Sequence, residues 1–258
     1  MPIIEDENAA VIEPRKGKRE EALPPRALLI FTPLDMDLVL RSFPESPRRT
    51  HKIYLTDVYS GSYESTPLCC TGPMLGAPQT ILVLEKLIAL GVQEVVAIGW
   101  CGSIQPHVRI GDIVLPSGGL SEEGTSPHYP LSMNHPGPSP EVVHRMKTLL
   151  EEAGAMVHEG QVWTTDAPFR ETVGKVTTYR EKGILAVDME TSALFTVANF
   201  RGIRLAVVLA VSDELSTLAW VHGFKESKFK AAREILVQTA LQALVSSSQD
   251  RVRRGAHP

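Results

Sequence analysis

Short apolar runs alternate along the chain with stretches in which apolar residues recur every three or four positions. Ala27 to Phe31 is an apolar run of strand length, and His51 to Tyr59 and Thr66 to Thr71 predict further strands. Pro78 to Leu90 predicts a helix, with Pro at its start, apolar residues at helical spacing and Gly91 as its stop. Glu94 to Ile98 and Asp112 to Leu115 predict strands. Ser139-Pro140-Glu141 opens a second helix that runs to Gly154. Ala155 to Thr164 and Ile184 to Val187 follow as strands, and Ser192 to Phe200 as an apolar helix closed by Gly202. Ile203 to Val211 is a buried strand rich in β-branched residues, and Phe224 to Val245 is a long amphipathic helix. Strands alternating with helices predict an α/β fold whose sheet is covered on both faces. One segment breaks the pattern: Ser117 to Ser139, 23 residues rich in Pro, Gly, Ser and His, expected to be a functional loop.

Both ends read as tails. Residues 1–25 are heavily charged, lack aromatics and close on Pro24-Pro25, so they bury too little apolar surface to offset the entropy of ordering. Residues 249–258 are expected to be loose for the same reason. Between the tails, 26–248 are expected to form a single domain.

Charge and cysteine usage narrow the function classes. The formal net charge is −4 with no basic stripe, so no nucleic-acid partner is expected. No apolar run approaches the ~20 residues of a membrane span, and no h-region of a secretory signal is present near the start. Cys69, Cys70 and Cys101 are odd in number and partly adjacent, which fits neither a disulfide framework nor a metal knuckle. The expectation is a cytoplasmic protein without a metal. The fingerprints of dinucleotide sites, phosphate loops, nucleophile elbows and zinc proteases are all missing. Cys101 follows a strand, but a buried inert thiol is the simpler reading.

Three segments lie at the C-terminal ends of predicted strands, where open α/β sheets place ligands. They are Ala97 to Ser103, Ala186 to Glu190 and Val207 to Glu214. Taken singly, Asp188 and Glu190 could serve a helix N-terminus, and Ser212-Asp213 could be an ordinary cap.

Taken together, the chain resembles the nucleoside phosphorylase family: purine nucleoside and uridine phosphorylases and the related nucleosidases. The resemblance rests on Glu181 to Glu190 (EKGILAVDME), Gly202-Ile203 and Val211-Ser212-Asp213. Upstream it rests on Thr71-Gly72, Gly76-Ala77-Pro78, Gly91-Val92, Gly99 to Gly102, and Ile104 to Val108 with Gly111-Asp112. Glu123 to Tyr129 and Thr165-Asp166 fall in the same order, so the likeness covers roughly 27–245. It implies a three-layer αβα sandwich around a central mixed, partly barrel-like sheet. It also implies a homo-oligomer: a dimer, a trimer of dimers or a hexamer.

The activity implied is cleavage of the N-glycosidic bond of a nucleoside, in nucleoside metabolism and nucleotide salvage. No cofactor is needed beyond inorganic phosphate as co-substrate. Asp213 matches the acid that protonates or hydrogen-bonds the leaving base, and Ser212 would orient it. Glu190 matches the carboxylate that binds ribose hydroxyls, Met189 would lie against the sugar, and Asp188 stands where relatives carry Glu. Phe169 is placed to stack on a base. Gly102 and Trp100 sit at the turn after a central strand, and His128 borders the nucleoside from the long loop.

The phosphate site departs from the family pattern. Thr32-Pro33-Leu34-Asp35-Met36 lacks the expected Arg, and Asp35 would repel an anion. Ala97 and Trp100 replace an Arg and a Ser or Thr, and Pro73 and Pro78 donate no N–H near a helix start. Each lost charge-assisted contact is worth about 1.5–3 kcal/mol. Two alternatives to phosphorolysis therefore stay open: a hydrolytic nucleosidase, and a nucleoside-binding protein without turnover in which Trp100 fills the anion pocket.

Overall fold

In the longest strands successive side chains enter two different cores. Leu205, Val207, Leu209 and Val211 pack with one apolar cluster, whereas Ala206, Val208 and Ala210 pack with the other. A strand buried on both faces reads as a continuous apolar run and needs a helical layer on each side. The computed structural model, which describes residues 9–131 and 136–255, supplies both layers.

The elements are β1 (Arg26–Ile30), α1 (Pro33–Ser42), β2 (Arg48–Ile53), β3 (Thr56–Tyr63), β4 (Thr66–Gly72) and α2 (Gly76–Ala89). Then come β5 (Glu94–Ser103), β6 (Ile113–Glu122), α3 (Pro140–Glu152), β7 (Val157–Thr165), α4 (Val173–Glu181) and β8 (Ala186–Asp188). Last are α5 (Thr191–Arg201), β9 (Arg204–Glu214), β10 (Val221–His222) and α6 (Ser227–Gly255). Residues of α2 and α5 join the core on one side, and those of α1, α3 and α6 the core on the other. Val176 of α4 packs with Trp163 and Ile184 in a third, smaller cluster.

The ten-stranded sheet runs β10-β9-β6-β7-β8-β5-β1-β4-β3-β2, and an added β9–β5 pairing closes five of its strands on themselves. The fold is thus a three-layer αβα arrangement about a mixed, partly barrel-like sheet. Closure brings β8 and β9 to rest against the same end of β5. Gly102 pairs with Val187 of β8 on one side and with Asp213 of β9 on the other.

Several local features depart from the sequence expectation. His51 to Tyr59 is not one strand but the inner part of the β2–β3 hairpin. Its turn at Tyr54-Leu55 contains no Gly, Asn or Pro, and Tyr54 itself adopts φ +53. The expected loop from Ser117 begins as strand, because β6 continues to Glu122 past a bulge between Pro116 and Gly118. Helix α1 is capped by Thr32, whose Oγ1 accepts from the Asp35 N–H at 3.3 Å, and opens on Pro33. Helix α4 is polar, with Val176 its buried residue, and so carries no strong apolar stripe.

Part of the N-terminal segment makes contacts with the domain. Leu23 is buried and its N–H donates to the Leu90 carbonyl at 2.9 Å. Lys86 Nζ reaches Glu20 Oε2 at 2.6 Å and the Arg15 carbonyl at 2.7 Å, and Arg201 reaches Glu13 at 3.2 Å. One apolar anchor and these ionic contacts lay the segment along α2 and α5. At the other end α6 runs to Gly255, past the Val245 expected from the pattern. Residues 1–8, 132–135 and 256–258 of the expected tails and loop lie outside the described residues.

Candidate active site

A cavity of about 510 Å³ opens beside the closed part of the sheet. Its wall includes Trp100, Cys101 and Gly102 from β5, Val187 to Glu190 from the β8–α5 junction, and Ser212 and Asp213 from β9. Pro168, Phe169, Glu171, Leu215 and Trp220 also line it, with Met74, Leu75, Phe31 and Thr32. The volume lies within the range of small-molecule pockets.

Strand register explains how the polar groups arrive there. Val211 pairs with Cys101 and Asp213 with Gly102, so Ser212 is an extra residue in the ladder. Such a bulge re-aims the side chains beside it. Ser212 Oγ lies 2.6 Å from Asp213 Oδ1 and donates to it, and Trp220 Nε1 donates to Asp213 Oδ2 at 3.0 Å. A Cβ at Gly102 would sit 2.9 Å from Asp213 Oδ2, so a side chain there would push the Asp213 carboxylate out of its present position.

Glu190 enters from the start of α5 and is 5% exposed. Its Oε1 accepts from the Gly76 N–H at 2.6 Å, an amide aimed by the positive φ (+78°) of that glycine. Burial, reinforced by the charge of Asp188, pushes its carboxyl up to about 8. Asp188 is buried too, which raises its carboxyl above the ordinary value. Hydrogen bonds from Thr191 Oγ1 (2.5 Å), Thr164 Oγ1 (2.7 Å), Thr191 N (2.9 Å) and Glu190 N (3.3 Å) act the other way. Both Asp188 oxygens are engaged in tying β7 to the first turn of α5, so this side chain braces the turn that presents Glu190.

Phe169 stands at the cavity mouth in a 3₁₀ turn (Pro168–Arg170), 99% exposed. Trp100 forms part of the wall, with its indole N–H donated to Asp35 Oδ2 at 2.6 Å. Cys101 is buried, and its thiol is pushed well above the ordinary value by burial and by Asp188 and Asp213; it is not an available nucleophile.

The same cavity therefore collects Asp213, Ser212, Glu190, Met189, Asp188, Phe169, Gly102 and Trp100. His128 is the exception. It lines separate surface clefts with Tyr129, Leu82 and Glu85. Glu123 is the cause: its buried carboxylate accepts from Ser121 Oγ, Thr125 N, Ser126 N and Ser192 Oγ, which pins the turn before His128 onto α5. Within one chain His128 therefore does not line the cavity that holds Asp213.

Asp35 also departs from its expected effect. It is fully buried and accepts from Arg233 Nε at 2.6 Å, so α6 neutralises its charge from behind the wall. Glu171, Leu215 and Met74 are cavity residues that the sequence reading missed. Glu171 follows Phe169 by two positions in the same turn, a proximity that could have drawn notice.

Among the described residues no group of three or more His, Cys, Asp or Glu could hold a metal ion, and no helix is long and apolar enough to cross a membrane.

A mixed sheet closed at one end, with carboxylates gathered where its strands end, defines an α/β protein with a small-molecule pocket. Comparison with known proteins narrows that class. The family model of the phosphorylase superfamily matches residues 25–248, and the chain belongs to that superfamily. Purine nucleoside phosphorylase (DeoD-type) of Bacillus cereus is 26% identical over 237 residues, covering 90% of this chain and 98% of that one. Guanosine phosphorylase of Halorubrum lacusprofundi is 29% identical over 161 residues, 61% of this chain and 66% of that one. Among solved structures, uridine phosphorylase of Vibrio fischeri superposes with a TM-score of 0.78 at 24% identity, covering 87% and 93% of the two chains. Purine nucleoside phosphorylase of Toxoplasma gondii in complex with immucillin-H gives 0.80 at 20% identity, covering 88% and 93%.

Proposed function

We propose that residues 26–248 act as one nucleoside phosphorylase unit, a pentosyltransferase that cleaves the N-glycosidic bond of a nucleoside by phosphorolysis. The products are the free base and ribose 1-phosphate, or the deoxyribose ester. The observation that carries this reading is the meeting of Asp213 and Glu190 in one cavity, with an exposed aromatic ring, Phe169, at its mouth.

The chemistry needs two differently placed carboxylates. As the C1′–N bond breaks, the sugar gains positive charge and the base gains an electron pair. Asp213, steadied by Ser212 and Trp220, meets the departing base. Glu190 accepts from ribose hydroxyls, and those bonds favour its ionised form. Its charge then lies beside the oxocarbenium-like sugar. Met189 packs on the sugar, Phe169 stacks on the base, and Trp100 and Gly102 shape the wall. Inorganic phosphate is the co-substrate, and no further cofactor is called for.

Assembly as a homo-oligomer and a cytoplasmic setting belong to the same reading. A second cleft of about 860 Å³ is lined by the exposed side chains of Tyr54, Leu82 and Phe200, which supports burial against another copy. Three free, buried thiols support a reducing compartment.

Incubation with a purine and pyrimidine nucleoside panel, with and without phosphate, tests the proposal. Phosphate-dependent base release with formation of ribose 1-phosphate is the expected result. Release of free ribose without phosphate, or binding without release, would overturn it.

A further inference from the structure

Asp213 has little freedom to give up a proton. Trp220 Nε1 can only donate, so Oδ2 is an acceptor, and Oδ1 is held by Ser212 Oγ. A proton on either oxygen either displaces one of these bonds or points at Ser212 rather than at a ligand. Glu171 contrasts with it in the same cavity wall. Its backbone N–H is used by the Pro168 carbonyl, yet its carboxyl has no hydrogen-bond or ion-pair partner among the described residues.

We propose that Glu171 carries the proton that the departing base takes up, and that Asp213 holds that proton on Glu171 through its negative charge. This rests on the reading of the cavity as a nucleoside site.

The surrounding charges favour the arrangement. Asp213 faces Glu171 from β9, and Asp188 and Glu190 complete the acidic lining from the β8–α5 junction. No Lys, Arg or His is among the described lining residues. Arg170 and Asp166 on the same turn are exposed, as is His222, which pairs with Asp213 across β10. Like charges gathered in a partly dry pocket are relieved when one of them keeps a proton. Burial and the charge of Asp213 push the Glu171 carboxyl up to about 7, which suits an acid working near neutral pH.

The step balances. The C1′–N bond breaks with its electron pair moving to the base, and the Glu171 O–H proton follows onto the base. A phosphate oxygen of HPO₄²⁻ bonds C1′, and the proton released from the new phosphate ester returns through solvent to Glu171.

The test is kcat/KM against pH for the wild type, Glu171→Gln and Glu171→Asp, with thermal melting as a check of folding. The wild type should lose activity above about pH 7 as Glu171 ionises. Glu171→Gln should fall at least about tenfold below pH 7 and lose that limb, and Glu171→Asp should keep it. On 7-methylguanosine, whose base is already positively charged in the nucleoside and departs neutral, Glu171→Gln should lose less than about tenfold, because no proton is required. A Gln variant with the wild-type rate and profile, or one equally impaired on both kinds of substrate, would overturn the proposal. Should the wild type cleave no nucleoside, the glycosidic reading fails by itself. A carboxyl ¹³C titration of the ligand-free protein then still decides where the proton sits: a Glu171 midpoint near 7 supports the placement, and one near 4.5 overturns it.

Discussion

The Trp100 indole N–H donates to Asp35 Oδ2 at 2.6 Å, while the Arg233 guanidinium lies 5.2 Å above the Trp100 ring and donates to Asp35 Oδ1 at 2.6 Å. Thr32 Oγ1 adds a third bond to the same carboxylate at 2.9 Å. The first strand's turn and the central strand, where the family pattern leads one to expect phosphate ligands, are locked together here by a buried acid and a cation from α6. Trp100 is therefore a wall held by its polar edge as well as by packing against Phe229.

Arg233→Met leaves the fully buried Asp35 without its cation. Breaking a buried pair from one side costs about 3–5 kcal/mol, so chemical denaturation should show a loss of that order. The double variant Asp35→Asn/Arg233→Met should recover part of it. A single variant as stable as the wild type would mean that the pair contributes nothing.

On the proposed reading, Glu190→Ala removes the acceptor for ribose hydroxyls. A hydrogen bond to a charged group is worth about 1.5–3 kcal/mol, so kcat/KM should drop by about 10- to 10²-fold. The loss should be smaller for substrates lacking a hydroxyl that Glu190 contacts. Steady-state kinetics on matched ribo- and deoxyribonucleosides checks this.

Asp213→Asn should lower turnover by at least about 10²-fold while the fold is retained, because Asn can still accept from Trp220 and donate to Ser212. Part of the loss comes through Glu171, which then sheds its proton at lower pH. An Asn variant as active as its parent would remove Asp213 from the mechanism.

Stability should fall as pH rises through neutrality. Glu190, pushed up to about 8, holds a proton in the fold at pH values where the unfolded chain has lost it, and Glu171 does so to about 7. The folded state then binds more protons than the unfolded one, so the unfolding free energy declines between roughly pH 4.5 and 8. Melting temperatures at pH 5.5 and 8.5 should show the decline, with a flatter dependence in Glu190→Gln.

The sequence pattern revealed the layers because their periodicities are strong. Ile203 to Val211, rich in β-branched residues, reads as a buried strand, and Pro78 to Leu90 as a helix. Features governed by individual contacts were less legible. The Tyr54-Leu55 turn carries no turn residue to announce it, and α4 has too little apolar stripe to stand out. The fate of His128 depends on Glu123, a charged residue drawn into the core by four hydrogen-bond donors, which no local pattern reveals. Ser212, Asp213 and Glu190 were legible because they belong to a long shared string of residues. Glu171 was not, because what singles it out is a carboxyl without a partner among the described residues in the cavity wall it shares with Asp213.

A crystal structure with a bound nucleoside analogue and phosphate is the most direct test of the two-carboxylate site. Ribose hydroxyls within about 3 Å of Glu190 and a base nitrogen or oxygen within the same distance of Asp213 or Glu171 are expected, at ordinary hydrogen-bond lengths. A nucleoside seated instead in the cleft of Tyr54 and Phe200, with those carboxylates facing only solvent, would contradict it.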